Sequence, residues 1–145
     1  MDQFSSRGHS VTIEIDLPWE KVYDFLNEPL NLGKWALGCM QVKPAEEEGL
    51  YCGFSIFDNE VNYFKLKANR EFRVIDFHIG SRTVLQPRIS ARVTPGSIYG
   101  NEDSFCLLSL QAWRDLEMSD VRWHQLQVCH ETEMILVKKL LEREC

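Results

Sequence analysis

Val11-Thr12-Ile13-Glu14-Ile15 runs directly into Leu17-Pro18-Trp19-Glu20-Lys21-Val22-Tyr23-Asp24-Phe25-Leu26, and then into Glu28-Pro29-Leu30-Asn31-Leu32-Gly33-Lys34-Trp35. In the first piece Val11, Ile13 and Ile15 alternate with Thr12, Glu14 and Asp16, which predicts a strand with one buried face and one wet face. Asp16 is a plausible helix cap, and Pro18 suits the first turn of the helix that follows. Trp19, Val22, Tyr23, Phe25 and Leu26 recur at helical spacing, and Asn27-Glu28-Pro29 ends that helix. A second short helix is expected over residues 30–36, closed by Gly38. It carries Leu32 and, one turn later, Trp35, which is expected to be buried where this helix meets a sheet.

Working outward from this opening, residues 39–113 read as β-structure broken by turns. The expected strands are 39–43, 51–57, 62–69, 73–79, 84–94 and 104–114. Glu48-Gly49, Asp58-Asn59, Gly80-Ser81, Pro95-Gly96 and Gly100-Asn101 separate them. Loops this short favour antiparallel neighbours. Pro87, early in a strand, points to an edge or a bulge. Residues 119–144 form the longest helix, with Ser119 or Asp120 as cap and no Gly or Pro inside. Its apolar centre lies near Leu126, Val137 and Leu140, and Arg122, Cys129, His130 and Glu133 share that half. Residues 137–141 are aliphatic apart from their lysines and should pack tightly on the sheet. The N-terminal half interleaves polar and apolar groups.

Composition sets the bounds. A chain of 145 residues is expected to be one domain, 1–145, with one sizeable core. Hydrophobic residues make up 44% and charged residues 26%, which argues against disorder. No apolar run approaches the roughly 20 residues of a membrane span, so no integral membrane contact is expected. The polar start, residues 1–9, lacks the apolar core of a secretory leader. The net charge is −6, from 16 basic and 22 acidic residues, so nucleic acid is not an expected partner. Five cysteines, an odd number without CxxC spacing, fit a reducing cytoplasm better than a disulfide framework or a structural zinc site.

The order strand, two helices, about six strands and a long amphipathic helix predicts an α+β domain. Its curved antiparallel sheet, of about seven strands, would wrap around the long C-terminal helix. On the opening stretch quoted above, and on the closing Val137-Lys138-Lys139-Leu140-Leu141-Glu142, the chain resembles the helix-grip fold of the START-like superfamily, also called SRPBCC. The similar branch is the polyketide cyclase/dehydrase and lipid-transport type. The resemblance implies a first strand, a Pro-led helix, a short helix ending at Trp and a closing helix. It also implies binding of lipids, hormones, polyketides or other apolar ligands, with catalysis in some members. No catalytic motif is common to the superfamily, so no active site carries over.

A sheet curved around a helix leaves a cavity between them, lined by the concave strand face and the N-terminal half of the long helix. His130 and Glu133 are helical neighbours, with Arg122 two to three turns earlier. They form either an acid/base and anion-positioning set facing that cavity or a polar helix edge. Asp76 and His78 share one face of a strand and form an oriented pair if that face is concave. The apolar set Ile75, Phe77 and Ile79 more naturally takes the inner face, which would leave Asp76 and His78 in solvent. Period-2 patterning turns Phe64 with Leu66, and Leu108 with Leu110, inward. The expected ligand-lining set is therefore Phe64, Leu66, Phe77, Leu108, Leu110, Arg122, Leu126, Cys129, His130 and Glu133. GxSxG, HExxH, Walker A and GxGxxG motifs are absent from the sequence. Cys129 beside His130 is no dyad, because adjacent helix residues point about 100° apart.

Three functions fit this pattern. The first is a cytoplasmic binding or carrier domain for a small apolar molecule, without cofactor or metal. The second is a cofactor-independent cyclase, dehydratase or lyase acting on a polyketide-like or aromatic molecule in the same cavity, with His130, Glu133, Asp76 and His78 as candidate catalytic groups. The third is an interaction module of chaperone-activator type. Homodimer formation is compatible with all three.

Overall fold

The computed structural model describes residues 3–100 and 103–143; Asn101, Glu144 and Cys145 lie outside the described residues. Seven strands form one antiparallel sheet: β1 (Gly8–Ile15), β2 (Met40–Pro44), β3 (Tyr51–Phe54), β4 (Val61–Asn69), β5 (Val74–Gly80), β6 (Leu85–Pro95) and β7 (Cys106–Trp113). Their spatial order is β1-β7-β6-β5-β4-β3-β2. From β2 to β7 each strand pairs with its sequence neighbour, as the short turns require. Only β1 pairs out of order, running antiparallel to β7 from Gly8 opposite Trp113 to Ile15 opposite Cys106. The chain therefore crosses between the two edges of the sheet, and α1 (Trp19–Leu26) and a 3₁₀ helix (Pro29–Lys34) make that crossing.

The amphipathic opening behaves as its spacing predicts. Val22, Tyr23 and Leu26 of α1 are buried. The apolar alternation of β1 reaches back to His9, which is half-buried like Val11 and Ile13. Two local expectations are corrected. Asp16 caps nothing; its N–H donates to Glu142 Oε2 at 2.8 Å, and Pro18 precedes α1 with no side-chain cap. The second helix is 3₁₀ rather than a helix over 30–36, and it stops at Lys34. Glu28 accepts from Leu30 N–H at 3.2 Å to start it. A Cβ on Gly33 would stand 3.0 Å from the Val42 backbone N, so glycine lets this turn lie directly on β2. Trp35 follows it, 5% exposed, edge-on to Phe77 with centroids 6.4 Å apart.

α2 (Asp120–Arg143) closes the fold against the sheet. Ser119 Oγ accepts from Arg122 N–H at 3.1 Å, the expected cap. The buried apolar residues of α2 divide between two clusters. Met134, Val137 and Leu141 join the main core with α1, Trp35 and the inner faces of β4 to β7. Leu126 and Trp123 form a smaller cluster with Ala112, against which Ile89 and Met118 pack. No helix among the described residues is long and apolar enough to cross a membrane.

Candidate functional site

Between these two clusters lies a cavity of about 420 Å³. That falls within the roughly 300–1,000 Å³ of ligand pockets. Its apolar wall draws on both clusters: Trp35, Phe64, Phe77, Ile79 and Leu110 from one side, Leu126 and Met118 from the other, and Ile89, which packs on both. The N-terminal half of α2 adds Arg122, Cys129, His130 and Glu133. The mouth carries Asp58, Asp115 and Glu117. Aliphatic residues fill the gap further along α2, where Val137 is fully buried, so the space ends there.

Two local irregularities decide the chemistry of the wall. The first is a β-bulge. Phe77 pairs with Ile89, but His78 pairs with Pro87, so Arg88 is the extra residue on β6. Strict alternation would send Arg88 outward when Ile89 points in. The bulge brings both to the cavity. Pro87 tolerates this place because β7 pairs only from Ile89 onward, leaving Pro87 on a local edge. The second is the turn after β3. The strand stops at Phe54, not Phe57, because Ser55 Oγ accepts from Phe57 N–H at 3.2 Å and Asp58 Oδ1 accepts from Glu60 N–H at 3.2 Å. Phe57 is thereby carried over the cavity, where its ring centroid lies 4.4 Å from the Arg122 guanidinium carbon.

The ionisable groups on the wall are poorly compensated. Glu133 is 5% exposed, and its Oε2 accepts from Leu37 N–H at 3.1 Å. Burial pushes its carboxyl up to about 8, against the smaller opposing pulls of that hydrogen bond and of Arg122. His130 is also 5% exposed; burial, then His9 and Arg122, hold it down to about 4. Near pH 7 both groups are therefore neutral. Their 4.0 Å approach, Nε2 to Oε1, is a contact between an imidazole and a carboxylic acid, not an ion pair. Arg122 Nη1, Arg88 Nε, His130 Nδ1 and Trp35 Nε1 are buried with no hydrogen-bond partner among the described residues. Arg88 Nη1 stands 3.7 Å from Asp115 Oδ2, beyond hydrogen-bond range. Burial also raises Cys39, to about 12, and Cys129, so both thiols on this wall stay protonated at neutral pH.

Eight of the residues expected to line the cavity stand on its wall: Phe64, Phe77, Leu110, Arg122, Leu126, Cys129, His130 and Glu133. Two do not. Leu108 faces inward but is wholly buried between Ile13 and Val93, where the core is closed. Leu66, opposite Phe77, packs on the main core outside the cavity. Asp76 and His78 are placed on the other face of the sheet, because β5 keeps its alternation and Ile75 and Phe77 take the buried side. His78 joins Lys65, Lys67 and Arg82 in a separate outer groove. Sequence reasoning missed Arg88 and Phe57. Pro87 was the only signal for the first, and Asp58-Asn59 the only signal for the second.

At the level of sequence, no family model and no curated protein matches the chain. At the level of structure, the chain is similar to a START superfamily protein from Mycobacterium smegmatis, with TM-score 0.66 at 9% identity, over 95% of this chain and 99% of that one. It is similar to the di-domain ARO/CYC BexL from the BE-7585A biosynthetic pathway, with TM-score 0.67 at 17% identity, over 94% of this chain and 46% of that one. It is also similar to the Aha1 dimer from Colwellia psychrerythraea, with TM-score 0.66 at 15% identity, over 93% of this chain and 96% of that one. Identities this low carry the fold and no activity. Seven antiparallel strands closed over a long C-terminal helix, with a cavity between them, give the chain a helix-grip fold similar to that of the START superfamily protein.

Proposed function

We propose that the protein binds a small hydrophobic or aromatic molecule, lipid- or polyketide-like, in the cavity between α2 and the concave strands. The carrying observation is the cavity of about 420 Å³, walled by residues of two apolar clusters and open at an acidic mouth. An apolar wall of this extent gains by excluding water, at roughly 25 cal/mol per Å² of apolar surface covered. The neutral fluorophore N-phenyl-1-naphthylamine tests the reading. It should brighten on binding the wild-type protein, and Leu126→Trp, which fills the space from α2, should abolish the signal while the fold is retained. Equal brightening in a folded Leu126→Trp variant would place binding elsewhere.

One observation favours a second reading, a cofactor-independent cyclase, dehydratase or lyase in the same cavity. His130 is a neutral base and Glu133 a protonated acid, side by side on the wall. Under this reading Glu133→Gln would abolish turnover of a poly-β-keto substrate while fluorophore binding persists. Turnover unchanged by Glu133→Gln would remove the reading.

A further inference from the structure

The wall of the cavity is not electrically balanced. Glu133 and His130 are neutral near pH 7, so neither offsets the guanidinium of Arg122. The Arg122 guanidinium lies over the face of Phe57, and its Nη1 is buried without a hydrogen bond among the described residues. Across the cavity the bulge delivers Arg88, whose Nε is likewise buried and unpaired. Its Nη1 makes a long ion pair, 3.7 Å, with Oδ2 of the partly exposed Asp115, which leaves the Nε side of the guanidinium unpaired. The other acids at the mouth, Asp58 and Glu117, are exposed and face water. Both arginines are partly buried, and each turns a buried N–H group without a partner toward this wall. Such a group is costly to leave unpaired, and guanidinium groups bind carboxylates through directed, charge-assisted hydrogen bonds.

We infer that the ligand of this cavity is an apolar acid, whose carboxylate is held by Arg122 and Arg88 while its hydrocarbon or aromatic body lies along Phe77, Ile79, Leu110 and Leu126. The inference rests on the proposed ligand-binding role and adds the chemical class. It gives Arg88 a purpose that a purely apolar carrier would not need, since a residue re-aimed by a bulge into an apolar cavity otherwise lowers stability. The neutral Glu133 is part of the same arrangement. An ionised carboxylate there would compete for Arg122, whereas a carboxylic acid can donate to the bound anion.

The test compares octanoate with 1-octanol, which share a chain and differ in charge. In displacing N-phenyl-1-naphthylamine from the wild-type protein, octanoate should act at concentrations at least about tenfold below those of 1-octanol. Arg122→Gln, alone and with Arg88→Gln, should shrink that gap to under about threefold. Arg122→Lys, which keeps the charge but not the fork, should retain part of the gap. A second measurement needs no variant. The carboxyl of bound [1-13C]octanoate, followed by NMR, should titrate below that of free octanoate. The inference is overturned if octanoate displaces the fluorophore no better than 1-octanol, if the gap survives in the double variant, or if the bound carboxyl titrates at or above its free value. Failure of the fluorophore to bind wild-type protein would instead contradict the ligand-binding role for neutral molecules. The NMR titration would still decide whether acids bind, and no octanoate binding would overturn the inference as well.

Discussion

Glu133 and His130 make the cavity readable by pH. Glu133 holds its proton up to about 8 in the folded protein, above the ordinary 4.5, so its contribution is fully present below about pH 4.5 and lost as pH rises through about 8. His130 runs the other way. Its folded value of about 4 lies below the ordinary 6.5, so its contribution is present above 6.5 and lost as pH falls through about 4. From pH 6.5 to 8 Glu133 is therefore the main source of change. The wild-type protein should lose on the order of 1–2 kcal/mol of stability over that window. Denaturant unfolding at the two pH values should show the loss, and Glu133→Gln should be flat across the same interval. A wild-type protein equally stable at both would mean that Glu133 is ionised throughout. At this scale, helical spacing made the α2 groups legible in the sequence: Arg122, Cys129, His130 and Glu133 do share the inward half. Their charge states were not legible, because burial sets them and burial is a property of the closed fold.

Among the elements, α2 does two jobs along its length. Its C-terminal half is core, and its N-terminal half is cavity wall. Met134, 2% exposed within the main cluster, should cost about 2–5 kcal/mol when replaced by alanine. Leu126 borders space already open to a ligand, so Leu126→Ala should cost less than half of the Met134→Ala loss in the same unfolding experiment. Equal losses would show that the N-terminal half is as closely packed as the C-terminal half. Trp35 marks the end of the 3₁₀ segment and anchors it against Phe77. Trp35→Ala should cost about 3–5 kcal/mol, and a loss below about 1 kcal/mol would show that the indole faces the ligand rather than the core. Most elements follow from periodicity because alternation and helical spacing are local. What periodicity missed was where alternation breaks. The bulge at Arg88 and the turn at Phe57 depend on register with neighbouring strands and on side-chain-to-backbone hydrogen bonds. The 3₁₀ segment stands where a helix was expected, and Gly33 lets it lie directly on β2, a packing contact that helical spacing does not report.

For the molecule as a whole, the central claim is that the space between its two apolar clusters is a ligand site rather than a packing defect. The opposite face of the sheet offers a contrasting surface, the polar groove of Lys65, Lys67, His78 and Arg82, where Lys65 is already paired with Glu47 at 2.9 Å. Backbone amide shifts on addition of a neutral apolar molecule distinguish the two surfaces most directly. Titrating 15N-labelled protein with 1-octanol should move the amides of Phe57, Phe77, Ile79, Ile89, Leu126 and Cys129, and leave Lys65, Lys67 and Arg82 where they are. Shifts confined to the outer groove, or saturable shifts nowhere, would contradict the claim.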